Sequence, residues 1–368
     1  MKPAFNPRNE RIKRLYLEWL REVGRKSHAT ADNARKALER YEMHTKYEDF
    51  RSFGRRQALS LKKSLLDQKS PVSGLPLSRS TVRTVLRNLQ DFFAWLSRQP
   101  GYKRIALTDI EYFNLSRKET NMALATKLRE TPTLEQVHNA IGAIDCSTEI
   151  GRRNRALIAF TALTGIRDGA LVSLKLKHVR VSERLVEQLG DEVHTKFSKT
   201  ITTYFFPVGY DFEKIVMEWI RFLREDKLFS LNDPLFPRTR LCQDENNCFA
   251  GSSLEPQPWS SAAPVRKIFK EAFEKAGMKK FTPHSFRRTL TRLGQELCRN
   301  PAQLKTWSQN LGHEDVMTTM VSYGKIDPFN QGKIMEEIAS QVLDDKDRPA
   351  TVSDIRKLLQ ENGIQTQR

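Results

Sequence analysis

The chain has 368 residues, which is more than one domain usually holds, so two domains are expected. It carries 62 Lys and Arg residues against 44 Asp and Glu residues, a formal net charge of +18 at pH 7. Such an excess favours a nucleic-acid partner over an anionic membrane or plain solubility. No segment approaches the roughly 20 apolar residues of a membrane span, and the N-terminus lacks the apolar core of a signal peptide. An intracellular protein is therefore expected.

Four amphipathic helices are predicted in the first hundred residues. Apolar side chains recur at helical spacing in the segments 11–23, 30–43, 55–68 and 80–96, with Thr30 and Ser80 as the predicted N-caps of two of them. The opposite faces are basic, and we expect them to contact DNA phosphates rather than only water. The basic residues predicted to bind DNA are Arg35, Lys36, Arg40, Lys62, Lys63, Arg83 and Arg87.

A linker and a second domain follow. Apolar periodicity lapses between residues 101 and 130, so the chain divides into a helical domain over 1–110, a linker over 111–130 and a second domain over 131–343. Thr133 and Gln136 have the spacing of a capping box, which predicts a helix start. The β-branched and aromatic residues of 200–206 predict a strand, with 179–186 and 192–194 as possible partners. The fold class expected is mainly α, with a helical N-terminal domain and a C-terminal α+β domain that holds a small antiparallel sheet.

Two segments have no clear function from the sequence. The stretch 232–259 contains several prolines and predicts either a disordered loop or a functional insertion. It contains Cys242 and Cys248, whose spacing is not that of zinc ligands, so free thiols and no metal are expected. The tail over 344–368 carries charges of both signs and one short predicted helix, 353–362.

The side chains suited to phosphodiester chemistry stand in a fixed order along the second half. Arg167 follows the helix stop Thr164-Gly165, where a glycine in the left-handed conformation turns the chain sharply. His284-Ser285-Phe286-Arg287-Arg288 comes next, and Leu311-Gly312-His313 precedes Thr318-Thr319 and Tyr323. Each motif alone is weak, and single histidines are more often core or cap residues than catalysts.

This ordered set resembles the tyrosine recombinase (phage integrase) family over about residues 10–335. Thr164-Gly165-Ile166-Arg167 is similar to the family's first-arginine motif, and His284 to Arg287 matches its His-x-x-Arg box. The segment from Leu311 to Tyr323 is similar to its nucleophile segment, and the helix over 80–96 to its core-binding domain.

The chain also departs from the family pattern. Tyr323 lies ten residues after His313, where nine is the commoner spacing, and Ala170 stands where the family often has an acidic residue. Asp168 is close to that position. The family's hairpin lysine is assigned to Lys199 rather than Lys196, because Ser198-Lys199-Thr200 with Pro207 downstream fits the hairpin better.

The resemblance implies catalytic roles for six residues: Arg167, Lys199, His284, Arg287, His313 and Tyr323. Guanidinium forks match phosphate oxygens, so Arg167 and Arg287 would stabilise the charge of the transition state without a metal. Tyr323 would attack phosphorus, and Lys199 would protonate the departing 5′-oxygen. His284 would accept a proton or contact the oxyanion, and His313 would hydrogen-bond the scissile phosphate. Arg288 is predicted to contact a DNA phosphate, with an ordinary surface charge as the alternative.

The implied function is that of a site-specific DNA recombinase, a mobile-element integrase encoded by a prokaryote or phage and located with the nucleoid in the cytoplasm. A covalent 3′-phosphotyrosine would conserve bond energy, so no cofactor, metal or ATP is expected. The alternatives are a type IB-like topoisomerase and a non-catalytic DNA-binding protein on the same fold. The partners expected are double-stranded DNA and other copies of the chain. A homotetramer would form through the predicted helix 325–343, which packs either on a neighbouring copy or on its own chain.

Overall fold

The computed structural model describes residues 5–70, 74–124, 130–243, 249–313, 331–333 and 335. The chain divides into two compact units, Met1–Ala125 and Thr126–Arg368. Helices dominate both units, and the second also contains two small antiparallel sheets, which confirms the predicted fold class. No helix among the described residues is long and apolar enough to span a membrane.

The first unit is helical throughout. Its helices are α1 (Pro7–Glu22), α2 (His28–His44), α3 (Arg55–Asp67), α4 (Arg79–Leu96), α5 (Leu107–Ile110) and α6 (Arg117–Leu124). The predicted N-caps Thr30 and Ser80 were wrong. Ser27 and Ser78 are the N-caps instead, because their hydroxyls accept from the backbone N–H of Thr30 and Thr81, three residues ahead. Each cap thus starts its helix earlier than predicted.

Aromatic side chains form the centre of this unit. Helix α4 contributes Phe92 and Phe93, both fully buried, and Phe93 stacks on Phe53 with ring centroids 3.8 Å apart. The stretch predicted as a linker contains a 3-10 turn over Glu111–Phe113 and helix α6 as far as Leu124, and Phe113 buries its side chain in the same core. The lapse in periodicity therefore marks short helices and turns rather than an extended segment.

The second unit packs around one buried helix. Its helices are α7 (Leu134–Gly142), α8 (Glu149–Thr164), α9 (Asp168–Leu171), α10 (Tyr210–Arg221), α11 (Ala263–Lys275), α12 (Pro283–Leu297) and α13 (Pro301–Asn310). The predicted capping box is present, since Thr133 and Gln136 exchange hydrogen bonds at the start of α7. Residues 156–164 of α8 are buried on every side, as expected of a helix that is apolar all round.

A three-stranded antiparallel sheet lies in the second unit. Its strands are β1 (Val179–Arg180), β2 (Leu185–Gln188) and β3 (Ile201–Tyr204), and β2 lies in the middle with Val186 opposite Thr203. The predicted strand over 192–194 was wrong. Glu192 instead binds Lys175 at 2.9 Å and Lys177 at 2.8 Å, so this segment turns away from the sheet to satisfy its charge.

The stretch over 232–259 contains a β-hairpin, so its described part is folded rather than a disordered loop, and a functional insertion stays a prediction. Strands β4 (Arg238–Gln243) and β5 (Phe249–Glu255) pair antiparallel with a bulge between Arg240 and Leu241. Arg153 of α8 is buried and donates to the carbonyl of Pro237 at 3.0 Å and to Oγ1 of Thr239 at 2.9 Å. This guanidinium fastens the start of the hairpin to the central helix.

Candidate active site

The first turn of the site follows α8. Gly165 ends the helix in the left-handed region with φ +58°, as predicted. A Cβ atom there would lie 2.8 Å from Cδ1 of Leu290 and 3.0 Å from Cδ2 of Leu311. Both the backbone angle and the close packing therefore require glycine. Arg167 comes two residues later, at the N-cap of α9, so a buried helix fixes where its backbone lies.

Arg287 connects this turn to the Leu-Gly-His segment. Its side chain is 6% exposed and lies one turn into α12, which begins at Pro283 after the N-cap Thr282. The guanidinium donates through Nη1 to the carbonyl of Gly165 at 3.0 Å and through Nη2 to the carbonyl of Leu311. One fork thus holds together two turns that are distant in sequence.

A cleft of about 300 Å³ opens where these elements meet. Its lining residues are Ile166, Arg167, Asp168, Arg266, Thr282, Pro283, His284 and Arg287. Three of the predicted catalytic residues thus lie together: Arg167, His284 and Arg287. The prediction missed Arg266, which stands on α11 and lies in no recognisable motif.

The charges in the cleft are unbalanced. Asp168 accepts from Nε of Arg266 at 2.6 Å. Within the described parts of the chain, no carboxylate lies within 4 Å of the side-chain nitrogens of Arg167 or Arg287. Burial lowers the pKa of both guanidinium groups, and the nearby charge of Arg167 contributes to bringing the pKa of Arg287 to about 9. The cleft is therefore suited to an anion.

The Leu-Gly-His segment turns the chain at the end of α13. Gly312 has φ +65°, and the backbone N–H of His313 donates to the carbonyl of Ser308 at 3.1 Å. The pKa of His313 is lowered to about 4, first by burial and then by the charges of Arg287, Arg167 and His284, in that order. His313 comes two residues after Leu311, whose carbonyl accepts from Arg287, so it lies near this cleft, and its imidazole is neutral at pH 7.

Strand β3 brings the lysine segment to the same turn. Asn310 accepts from the backbone N–H of Tyr204 at 2.7 Å and donates to its carbonyl at 2.9 Å. A Cβ atom at Gly312 would lie 2.9 Å from Cδ1 of Ile201, so the strand packs directly on the turn before His313. Lys199 is half-buried and precedes Ile201 by two residues, whereas Lys196 is exposed.

Several predicted residues lie outside the described part of the chain. Tyr323 is among them, together with Thr318, Thr319, most of the predicted helix 325–343 and the tail over 344–368. The role of Tyr323 therefore stays a prediction. Arg288 is described and is half-buried on α12, next to Arg287.

The basic residues of the first unit differ in their surroundings. Arg35 pairs with Asp32 and Glu39, and Lys36 lies 2.7 Å from Asp32, so their charges are partly neutralised within α2. Lys62 donates to the carbonyl of Asn114 at 2.9 Å, and Lys63 and Arg87 are exposed. Arg83 is half-buried on α4. Arg40 lines a cleft between α2 and α4, and its Nη1 atom is buried without a hydrogen-bond partner in the described structure.

The comparison with known families decides the class of the protein. The family model described as "Phage integrase family" matches residues 133–328, which is more than half of the chain. The chain belongs to the phage integrase family. The matched range includes all six residues predicted to be catalytic, and the predicted family is therefore confirmed.

Curated relatives of the chain are bacterial tyrosine recombinases. The tyrosine recombinase XerC of Lactobacillus delbrueckii subsp. bulgaricus is 25% identical over 250 residues, covering 68% of this chain and 73% of that protein. The tyrosine recombinase XerD of Listeria monocytogenes is 26% identical over 248 residues, covering 66% and 71%. The chain is thus a tyrosine recombinase that acts in site-specific DNA recombination, and the predicted class of enzyme is confirmed. The two alternatives, a topoisomerase and a non-catalytic binding protein, are not favoured.

Solved integrases share the fold. A lambda integrase dimer bound to a COC' core site has a TM-score of 0.58 at 13% identity, covering 87% of this chain and 99% of that one. The Tn1549 transposon integrase in complex with transposon right end DNA has a TM-score of 0.58 at 17% identity, covering 89% and 99%. At these identities the similarity establishes the fold of the chain and no finer property.

Proposed function

We propose that the chain cleaves and rejoins DNA with Tyr323 as nucleophile and the cleft of Arg167 and Arg287 as the phosphate site. The observation that carries this proposal is the pair of partly or fully buried guanidinium groups without a carboxylate partner among the described residues. Buried cations without a counter-ion are costly, and a dianionic transition state at phosphorus supplies the missing charge.

The proposed step is an in-line displacement. The phenol oxygen of Tyr323 forms a bond to phosphorus, the bond from phosphorus to the 5′-oxygen breaks, and a 3′-phosphotyrosine results. Lys199 gives its proton to the departing 5′-oxygen, and the proton of the phenol passes to His284 or to water. His313, neutral at pH 7, donates a hydrogen bond to a phosphate oxygen without adding charge. Rejoining reverses these transfers with the 5′-hydroxyl of a second strand.

Covalent capture tests the nucleophile. Nicked duplexes tiled across the DNA that flanks the gene are incubated with the protein, and adducts that resist SDS are measured on gels. Tyr323→Phe is expected to keep DNA binding and to lose the adduct completely. Tyr210→Phe is the matched control, since Tyr210 is 71% exposed in the second unit and should leave the adduct unchanged. An adduct that survives in Tyr323→Phe assigns the nucleophile to another residue.

We also propose that the enzyme works in the cytoplasm as the integrase of a mobile element. The helical first unit would also contact the duplex. The basic faces of α2 and α4 and the similarity to the Tn1549 integrase support this assignment. Transfer of a marked element between two plasmids in a bacterial host tests it. Excision or resolution without insertion would contradict the assignment as an integrase.

Assembly into a homotetramer through the segment 325–343 is part of the same proposal. An apolar groove of about 660 Å³ runs between the residues after β3 and helices α12 and α13 of the second unit. Phe206, Leu297 and Trp307 line it, and their apolar surfaces match the stripe that includes Ile338 and Val342 of the segment. We assign the groove to this segment from a second copy.

Cys298 gives a direct test because it lines the groove and carries a free thiol. With the other three cysteines replaced by serine, one population carries Ile338→Cys with Cys298→Ser and the other keeps only Cys298. A disulfide between the two populations on DNA supports docking between copies. If only a single copy that carries both Ile338→Cys and Cys298 forms the bond, the segment packs on its own chain and the proposed assembly is wrong.

A further inference from the structure

The segment that carries Lys199 is anchored at one end and strained at its tip. It comprises residues 189–200 between β2 and β3, and we call it the lysine loop. Glu192 binds Lys175 and Lys177 at 2.9 and 2.8 Å, and Ser173 accepts from the backbone N–H of His194 at 2.9 Å. Val193 is buried beside them. The first half of the loop is therefore held to the body of the second unit.

The tip of the lysine loop adopts an unusual backbone. Phe197 has φ +64° and Ser198 has φ +51°, two successive non-glycine residues in the left-handed region. Single residues of this kind are uncommon and are strained when bulky, and they persist where the surrounding structure imposes them. Thr195 supports the turn, because its hydroxyl donates to the carbonyl of Lys199 at 2.6 Å. This conformation directs the ring of Phe197 outward.

The ring of Phe197 is an exposed apolar surface between two cations. It is 72% exposed, with Nζ of Lys196 at 4.8 Å and Nζ of Lys199 at 6.0 Å from its centroid. Neither burial nor stability of the free chain accounts for an exposed ring at a strained position. A ligand that offers anionic groups close to a flat apolar face would account for both the ring and the lysines.

DNA fits this requirement, and the location of the loop favours it over an anionic membrane. Strand β3 continues the lysine loop and packs on Gly312, so the loop emerges beside the turn that carries His313. A duplex whose phosphate occupies the arginine cleft would then bring a neighbouring nucleotide to the loop tip. Its phosphates would face the lysines, and its base or sugar would face the ring.

We infer that Phe197 is a DNA-contacting residue that places its ring against a base or sugar next to the scissile phosphate, and that this contact positions Lys199 at the departing oxygen. The inference rests on the proposed phosphate site. Apolar side chains that enter a DNA groove in this way partly unstack the neighbouring base step. The left-handed turn at residues 197 and 198 presents the ring for this contact before DNA arrives.

The test uses two replacements at Phe197 that separate the ring from the turn. Phe197→Ala removes the ring and keeps the strained conformation, whereas Phe197→Gly removes the ring and relieves the strain. Phe197→Trp keeps an aromatic face. Leu228→Ala is the control, because Leu228 is 82% exposed and also has a left-handed φ of +55°, but it comes after α10, whereas Phe197 lies just before β3. Affinity for a random 30-base-pair duplex and the rate of adduct formation on the nicked duplexes are measured for each variant.

If the ring contacts DNA, the alanine and glycine variants both lose affinity or adduct rate by between about 5-fold and 150-fold, the range that one aromatic–base stack supplies. The tryptophan variant and Leu228→Ala stay close to wild type. In duplexes cleaved by the wild type, 2-aminopurine beside the cut site brightens with the wild type and not with Phe197→Ala.

Other outcomes overturn the inference. A glycine variant as active as the wild type shows that only the turn matters, and an alanine variant equal to the wild type in both measurements shows that the ring contacts nothing. If Phe197→Ala loses binding to phosphatidylglycerol vesicles while its DNA affinity is unchanged, the ring contacts a membrane instead of DNA. The absence of any adduct with the wild type refutes the proposed chemistry instead, and the affinity measurement on the random duplex still reports whether the ring contacts DNA.

Discussion

At the scale of single residues, the site depends on guanidinium cations that have no carboxylate within 4 Å among the residues the structure describes. Arg287 is buried, its fork is used by the carbonyls of Gly165 and Leu311, and Arg167 lies near enough to lower its pKa. A carbonyl dipole only partly replaces a counter-ion in a buried environment. A bound phosphate therefore stabilises this arrangement, and we expect the isolated protein to bind anions in the cleft.

Replacing Arg287 with lysine tests the geometry of the fork. An ammonium group is a single point charge and cannot reach both carbonyls and a phosphate together. We expect Arg287→Lys to lower the rate of adduct formation about 10²–10³-fold and the free energy of unfolding by about 1–3 kcal/mol. Arg180→Lys is the control on the surface, where the arginine pairs with Glu187 at 3.0 Å. A wild-type rate in Arg287→Lys would place the phosphate elsewhere.

The lowered pKa of His313 predicts how the stability of the folded chain depends on pH. Its pKa is lowered from 6.5 to about 4 in the folded chain, so the unfolded chain binds this proton more readily. The contribution of the neutral imidazole is complete above pH 6.5 and decreases as the pH falls towards 4. At pH 5 we expect the wild type to have lost about 2 kcal/mol more, relative to pH 7.5, than His313→Asn. Urea unfolding at the two pH values measures the difference, and equal losses in both proteins would contradict the assignment.

At the scale of elements, two glycine turns and one strand determine where the functional groups meet. The turn at Gly165 ends α8, the turn at Gly312 follows α13, and β3 packs on the second turn through Ile201 and Asn310. Each turn exists because a glycine adopts a positive φ next to tightly packed neighbours. The relative positions of Arg167, Arg287 and His313 therefore depend on backbone conformation as much as on the catalytic side chains.

A pair of glycine replacements tests this dependence. Gly165→Ala forces a Cβ into a left-handed backbone and against Leu290 and Leu311, and we expect it to destabilise the chain by about 1–3 kcal/mol. We also expect Gly165→Ala to lower the rate of adduct formation. Gly142→Ala is the control, because nothing lies within 4 Å of its Cβ position at the end of α7, and we expect a neutral change or a gain of up to about 1 kcal/mol. Thermal unfolding measures the stability of both variants. Equal changes in stability would show that the turn at Gly165 does not specifically require glycine.

At the scale of the whole molecule, the net charge is +18, but the basic side chains differ in whether they already pair with carboxylates of the protein. In α2, Arg35 and Lys36 already bind carboxylates of their own helix. In α4, Arg83 and Arg87 have no carboxylate within 4 Å among the residues that the structure describes. Cations without partners release more condensed counter-ions when they bind DNA, so α4 should contribute more to affinity than α2.

Salt dependence distinguishes these two helices. Removing Arg83 and Arg87 together should lower the slope of log affinity against log salt concentration by about 2, whereas removing Arg35 and Lys36 should lower it less. Fluorescence anisotropy of a labelled 30-base-pair duplex between 50 and 300 mM KCl provides the slopes, with each variant checked for thermal unfolding. If the α2 variant changes the slope more than the α4 variant does, the carboxylates of α2 do not neutralise its cations on DNA.

The sequence by itself determined the features that depend on neighbouring residues. The spacing of apolar side chains located the long helices, and Gly165 and the capping box at Thr133 located two of their ends. The order of the motifs around Arg167, Arg287 and His313 predicted the family, which the comparisons confirmed. These signals are readable because helix formation, capping and a positive φ involve residues within about four positions of one another.

Only the tertiary structure decided which distant groups satisfy each other. Asp168 binds Arg266, 98 residues away, so it does not pair with Arg167, and Glu192 binds two lysines and leaves the sheet. The fork of Arg287 reaches carbonyls 122 and 24 residues away, and the stretch over 232–259 forms a hairpin on α8. Local periodicity carries no information about such partners, because charge compensation and packing are satisfied between elements after they have formed.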